Sequence, residues 1–269
     1  MHKAVILARG LGTRMRRADG EAQLDAQQNA VADTGVKALI PIGRPFLDYV
    51  LTALANTGYR QVCLVVGPEH GTIRDYYSTQ ARPQKLEIAY AVQVEPRGTA
   101  DAVAAVESFA GNDHFLVLNS DNYYPQEALR GLREISANGV ALFEDQAMLS
   151  GSNIPAERLR QFAVGKIDRQ GCMERILEKP DEATLASLPR PLWLSMNCWR
   201  FGPSIFEGCR HIAPSARGEL EIPDAVQYVI NVLREPFHVV VVRAPVLDLS
   251  SRRDIASVKE KLAGTEVSF

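Results

Sequence analysis

Residues 7–14 read Leu-Ala-Arg-Gly-Leu-Gly-Thr-Arg, an apolar run that breaks into two glycines and two arginines within six positions. Bare backbone N–H groups in such a loop can wrap a polyphosphate, and the Arg14 guanidinium adds a charge-assisted fork. Two familiar phosphate motifs do not account for it. The third glycine of a dinucleotide fingerprint is Met15 here, with no helical pattern directly behind it, and the GK[ST] ending of a phosphate loop is absent. Taken alone, the segment also reads as a tight strand-to-helix turn that needs positive φ. Further along, Asp121 follows the apolar run His114–Asn119. A carboxylate at a strand end can hold Mg²⁺, which favours one or two carboxylates plus phosphate oxygens, and it can equally be an ordinary turn aspartate.

These residues need a scaffold, and the hydrophobic periodicity supplies one. Lys3–Ala8, Gln61–Val66, Leu86–Val92 and His114–Asn119 read as strands. Between them, Pro45–Thr57, Ile73–Thr79 and Thr99–Phe109 read as helices, with Gly58 stopping the first. Alternating strands and helices predict a mostly parallel sheet covered on both faces, with ligands at the carboxyl ends of its strands. The second half changes character. Gln161–Asp168 and Cys172–Glu178 form a hairpin about Arg169-Gln170-Gly171, and Leu192–Phe201 and Phe237–Val242 are strands. Ile222–Arg234 is a helix, and a last helix starts from Arg252 after the short run Val246–Leu249. Residues 16–36 stand apart as a polar, Ala/Gln-rich loop with a short helix near Glu21–Ala30, and long loops in compact domains tend to be lids or disordered segments.

Composition narrows the function classes. A formal net charge of -2 gives no global field for nucleic acid or an acidic membrane, so any anion site must be local. No stretch approaches the ~20 apolar residues needed to cross a bilayer, and no secretory leader opens the chain, so a cytoplasmic protein is expected. The four cysteines show no CxxC pair and read as buried free thiols. The five histidines have no metal-ligand spacing.

The loop at Leu7–Met15, followed by Lys37-Ala38-Leu39-Ile40-Pro41-Ile42 and Gly43-Arg44-Pro45-Phe46, resembles the signature of the sugar-1-phosphate nucleotidyltransferases, the nucleotide-sugar pyrophosphorylases that include glucose-1-phosphate thymidylyl- and uridylyltransferases. The resemblance implies a three-layer α/β/α, Rossmann-like, mostly parallel but mixed sheet of the GT-A-like kind, forming one nucleotidyltransferase domain over 1–269. Residues 1–125 would be its nucleotide-binding half and 126–269 its sugar-phosphate half. It also implies roles. Arg14 and Lys37 are the catalytic cations. Leu7, Ala8, Gly10, Gly12 and Thr13 line the nucleotide, joined by Gln93, Gly98 and Thr99 from Gln93–Ala100, with Gln93 turned to the base because its amide both donates and accepts. Asp121 and Asp248 hold Mg²⁺. Asn122, Ala163, Glu178, Lys179 and Asn197 meet the sugar phosphate, Lys179 as a compact point charge. Glu219 is a weaker candidate for the same side.

The sequence departs from the family pattern in places. Between Arg14 and Lys37 lie 22 residues, roughly twice the usual gap, and Val36 stands where proline is common. Ser120 precedes Asp121 where glycine is usual, and Phe162-Ala163-Val164 replaces a Tyr-Gly-Val. The implied reaction joins an NTP, with dTTP or UTP favoured, to a sugar 1-phosphate, with glucose 1-phosphate as the default. The implied assembly is a homo-oligomer, dimer or tetramer; the sequence shows no hexapeptide repeat, so no appended acyltransferase domain is expected. Two other classes remain open: a GT-A glycosyltransferase, which wants an Asp-x-Asp that Ser120-Asp121-Asn122 lacks, and a non-catalytic nucleotide-sugar-binding regulator.

Overall fold

A computed structural model describes residues 1–269. Its first half alternates as the periodicity predicts. β1 (Lys3–Leu7) runs through the glycine loop into α1 (Thr13–Arg16), α2 (Ala26–Thr34), a 3₁₀ turn at Lys37–Leu39 and α3 (Phe46–Asn56). β2 (Gln61–Val66), α4 (Gly71–Asp75), β3 (Glu87–Val92), α5 (Thr99–Ala104), α6 (Glu107–Ala110) and β4 (Phe115–Asn119) follow. The second half comprises β5 (Asn122–Tyr123), α7 (Gln126–Glu134), β6 (Asn138–Glu144), α8 (Asp145–Gly151) and α9 (Ala156–Leu159). Next come β7 (Val164–Ile167), β8 (Met173–Leu177), α10 (Glu182–Ser187) and β9 (Trp193–Phe201). α11 (Ser204–His211), α12 (Ile222–Asn231), β10 (Phe237–Val242), β11 (Leu247–Asp248) and α13 (Asp254–Lys261) complete the chain.

Nine strands form one mixed sheet in the order β10-β6-β9-β4-β1-β2-β3, with the β7–β8 hairpin attached to β9. β1 lies parallel between β2 and β4, whereas β9 is antiparallel to both β4 and β6. The chain leaves β1 toward β2 and β3, then returns to β4 on the other side, and such a reversal opens a crevice at the strand ends. Side chains alternate between the faces: Ala4 and Ile6 join one apolar core, while Val5 joins a second with Cys63 and Val65. Two cores on one sheet make three layers. All four cysteines are buried and free, and burial pushes the Cys63 and Cys209 thiols up to about 12. No helix is long and apolar enough to cross a membrane.

Several boundaries differ from the sequence reading, each for a local reason. A helix does follow the glycine loop directly: Gly12, in the left-handed region at φ 61°, starts α1. The helix in the long loop is α2, shifted to Ala26–Thr34 by a capping box in which Asp25 accepts from the Gln28 N–H and Gln28 accepts in return. The Thr99–Phe109 helix is two pieces, broken at Ala105–Val106, and the Lys3 ammonium bonds the Phe109 and Ala110 carbonyls at the end of the second. The stretch 124–160, unassigned from sequence, holds α7, the strand β6, buried from Asn138 to Phe143, and α8 and α9.

Candidate active site

The carboxyl ends of β1, β3 and β4 open onto a cavity of about 560 Å³. Leu7, Ala8, Gly10, Gly12 and Thr13 line it from β1 and its loop, and Asn119–Asp121 line it from β4. Gln93, Gly98 and Thr99 form a third wall, with Asn197 and Glu219 opposite from the second half. Leu7 and Ala8 are pinned by sheet-end bonds, Ser120 N–H to the Leu7 carbonyl (3.2 Å) and Ala8 N–H to the Val65 carbonyl (2.8 Å).

Lys37 reaches the same cavity despite the 22-residue excursion before it. The excursion returns to its own starting point. Gly35 closes α2 in the left-handed region and packs on Gly12, and Lys37 N–H then donates to the Gly35 carbonyl at 2.9 Å. The insertion is a packed unit, not a loose loop. Ala32 is buried, Gln28 donates to the Pro41 carbonyl, and the buried Arg252 guanidinium bonds the Met15 carbonyl, Asn29 and Asp33. The Lys37 ammonium forms an ion pair with Asp121, both side chains being more than four-fifths buried. An ammonium and a carboxylate facing each other at a strand-end cavity can serve a phosphate and a hard cation respectively.

Asp248 meets Asp121 through the smallest sheet of the molecule. β11 pairs antiparallel with β5, placing Asp248 opposite Asn122, and Leu249 N–H donates to the Asp121 carbonyl at 2.8 Å. Asp248 is only 4% exposed and stands behind the cavity wall. Its Oδ1 accepts from Asn122 Nδ2 (2.9 Å) and its Oδ2 from Arg158 Nη2 (2.5 Å). Burial and the adjacent Asp121 push its carboxyl up, and Arg158 opposes them. Two neighbouring carboxylates are a donor set that suits Mg²⁺. No cluster of three His, Cys, Asp or Glu side chains exists, so other coordination positions would fall to phosphate oxygens and water.

The Gln93 side chain is more constrained than its type suggested. Its Nε2 donates to the Gly98 carbonyl (3.0 Å) and to Asp101 Oδ2 (2.8 Å). Asp101 as a carboxylate can only accept, which fixes the amide orientation and leaves Oε1 alone for a ligand. Gly98 is held by the loop before α12. Its φ is 119°, and a Cβ there would stand 2.4 Å from the Leu220 carbonyl oxygen, so only glycine fits. Thr99 Oγ1 accepts from Ile222 N–H at 2.9 Å, a different use from the expected nucleotide contact, although Thr99 lines the cavity.

Other expected residues fall elsewhere. Arg14 lies on α1, exposed, without a hydrogen bond or ion pair to the chain and outside the cavity lining. Arg9 also lines the cavity, but its buried guanidinium is engaged inside the chain: Nε donates to the Gln93 carbonyl (3.1 Å) and Nη1 forms an ion pair with Glu69 (2.6 Å), so the two arginines do not form one grip. Asn122 is buried, donating to Asp248 and accepting from Asn119 Nδ2 at 3.1 Å, so it braces the carboxylates and is absent from the cavity lining. Ala163, Glu178 and Lys179 lie outside the cavity lining but share one place, the end of the β7–β8 hairpin where Val164 pairs with Leu177 and Leu194. Lys179 is exposed and left-handed at φ 42°. Asn197 is also left-handed, φ 55°, where the β6–β9 register shifts; it lines the cavity while its Oδ1 accepts from Trp199 Nε1 at 3.3 Å. Arg158, Asn153, Asp101 and Arg252 were not singled out from sequence. Only Asp101 had a local signal, as an acid in the first turn of the helix that Gly98 begins.

Comparison with known proteins bears on the family and the fold. The family pattern described as nucleotidyl transferase matches residues 29–241, starting after the glycine loop and ending before Asp248. A low-salt glycan biosynthesis nucleotidyltransferase from Haloferax volcanii is 29% identical over 231 residues, 85% of this chain and 57% of that protein. A glucose-1-phosphate thymidylyltransferase from Streptomyces griseus is 30% identical over 234 residues, 87% of this chain and 58% of that protein. The chain thus spans less than three fifths of the length of these curated relatives. In fold it is similar to a UDP-glucose pyrophosphorylase solved with UDP-glucose, at a TM-score of 0.74 and 18% identity, covering 99% of this chain and 100% of that one. With Leu7–Thr13 and Lys37 on one cavity and most of its length matched by the family pattern, the chain belongs to the nucleotidyl transferase family.

Proposed function

We propose that the protein is a sugar-1-phosphate nucleotidyltransferase that converts an NTP and a sugar 1-phosphate into an NDP-sugar and pyrophosphate. The observation that carries the reading is the Lys37–Asp121 pair on the wall of a cavity floored by the Gly10–Thr13 loop. A phosphate oxygen of the sugar phosphate attacks the α-phosphorus in line. The bond from that phosphorus to the bridging oxygen breaks, and pyrophosphate leaves with the electron pair. No covalent intermediate forms on the chain, so catalysis is positioning and charge stabilisation.

Each residue has a task in that scheme. The backbone N–H groups of the loop hold the β and γ phosphates, and the unpaired Arg14 folds onto them. Lys37 leaves Asp121 for the α-phosphate as charge builds there. When bound, Mg²⁺ on Asp121 and Asp248 adds positive charge to the phosphates and screens their repulsion. Lys179, unpaired at the hairpin end, takes the incoming sugar phosphate, with Glu178 and Asn197 toward the sugar. Residues 1–125 thereby serve the nucleotide and 126–269 mainly the sugar phosphate, within one domain. A Gln93 that only accepts suits a base with a ring N–H, which supports dTTP or UTP over ATP or CTP, and the name of the Streptomyces relative supports glucose 1-phosphate. Pyrophosphate release tests the reading on a grid of NTPs and sugar 1-phosphates with Mg²⁺. Release that needs both substrates supports it, whereas binding without release assigns the chain to the regulator class.

A further inference from the structure

Both carboxylates of the candidate metal site face a cation of the protein's own. Lys37 pairs with Asp121, and Arg158 with Asp248. The second pairing is built with care. Arg158 Nη2 also donates to Ser250 Oγ at 2.6 Å, and Asn153 clamps the Asp248 backbone through both its N–H (2.9 Å) and its carbonyl (2.8 Å). Asn122 occupies the other carboxylate oxygen. Asp254 is the next carboxylate, 3.9 Å from Arg158 Nη1, but its Oδ2 is taken by the Ser250 and Ser251 N–H groups. A divalent ion entering this pair meets two resident charges of its own sign.

We propose that Arg158 is the resident counter-cation of Asp248, a positioning residue that makes divalent-metal binding weak until the anionic substrates arrive. The idea rests on the metal reading given above and says why the site stays neutral without ligand. Lys37 alone would discharge only the outer carboxylate. Arg158 covers the inner one, which is too buried for solvent to compensate. A polyphosphate offers the displaced guanidinium and ammonium a new partner, so metal and nucleotide bind cooperatively.

Mn²⁺ titration of the substrate-free chain, read by the electron-spin-resonance signal of free Mn²⁺, tests this without turnover. Arg158→Gln keeps a hydrogen-bonding side chain but removes the charge, and it should tighten Mn²⁺ by about tenfold. Arg158→Lys should stay near wild type. Arg158→Met carries the same test if the glutamine variant does not fold. Unchanged or weaker Mn²⁺ binding in a folded charge-removing variant overturns the proposal, as does equal tightening in Arg158→Lys. Tightening that survives an added Asp121→Asn change puts the ion elsewhere and overturns it as well. Pyrophosphate formation is read separately, so normal turnover with unaltered Mn²⁺ affinity in Arg158→Gln removes this inference and leaves the reaction standing.

Discussion

Gly12 and Gly35 touch backbone to backbone: a Cβ on Gly12 would stand 2.2 Å from the Gly35 carbonyl oxygen. This contact closes the 22-residue excursion into a ring and delivers Lys37 two residues later to the cavity. The length of the insertion is therefore decoupled from the position of the lysine.

Gly12→Ala must push that contact apart and also force alanine into φ 61°. The change should cost on the order of 2–3 kcal/mol and lower activity through a displaced Lys37. Gly10→Ala is the matched control, since a Cβ there meets nothing within 4 Å. Thermal unfolding of the two variants checks the pair. Equal midpoints would mean that the ring closure contributes nothing.

The insertion was expected as a lid or disordered loop, and the structure assigns its ordering to Arg252. Arg252→Met should cost about 2–3 kcal/mol, because the carbonyl of Met15 and the side chain of Asn29 lose their donor. Hydrogen exchange should then speed up across residues 16–36. Protection that stays at wild-type levels there would show that the insertion holds itself.

Asp101 orients the Gln93 amide. Asp101→Ala should free it to rotate, raising KM for the NTP about fivefold while kcat changes less. A fall in kcat at constant KM would contradict this role. Steady-state kinetics with varied NTP separates the outcomes.

Asp48 offers a pH signature away from the site. It is fully buried, accepts from Tyr76, Tyr77 and Arg44, and burial still raises its carboxyl above the ordinary 3.8. A raised folded value means that the native state binds this proton more tightly than the unfolded state. Its contribution is thus fully present below about 3.8 and is lost as pH rises through the raised value. Compared with Asp48→Asn, wild-type stability should decline across that window by at most about 1.4 kcal/mol per pH unit. Urea unfolding between pH 4 and 7 measures the difference, and parallel curves would refute it.

How legible all this is in the sequence depends on distance along the chain. The strands Lys3–Leu7, Gln61–Val66 and Phe115–Asn119 are visible because β-branched runs bounded by turns need no tertiary information. The glycine loop, Asp121 and Gln93 follow from standing just past such strands. α7 carries only a short local signal, Leu129 and Leu132 at helical spacing behind Pro125 and Glu127. The ion pair of Arg158 with Asp248 has no local trace, because it spans 90 positions and depends on two strands of two residues each. Asn122 illustrates the same limit: the place of its neighbour Asp121 past a strand end is readable locally, whereas its own hydrogen-bond partner lies 126 positions away.

The central claim is that Lys37, released from Asp121, stabilises charge on the α-phosphate. Lys37→Ala should cut kcat for pyrophosphate formation by about 10²–10³-fold while the NTP dissociation constant changes little. Single-turnover pyrophosphate release together with equilibrium NTP binding measures both on one preparation. A wild-type rate, or a loss explained wholly by weaker NTP binding, would contradict the account.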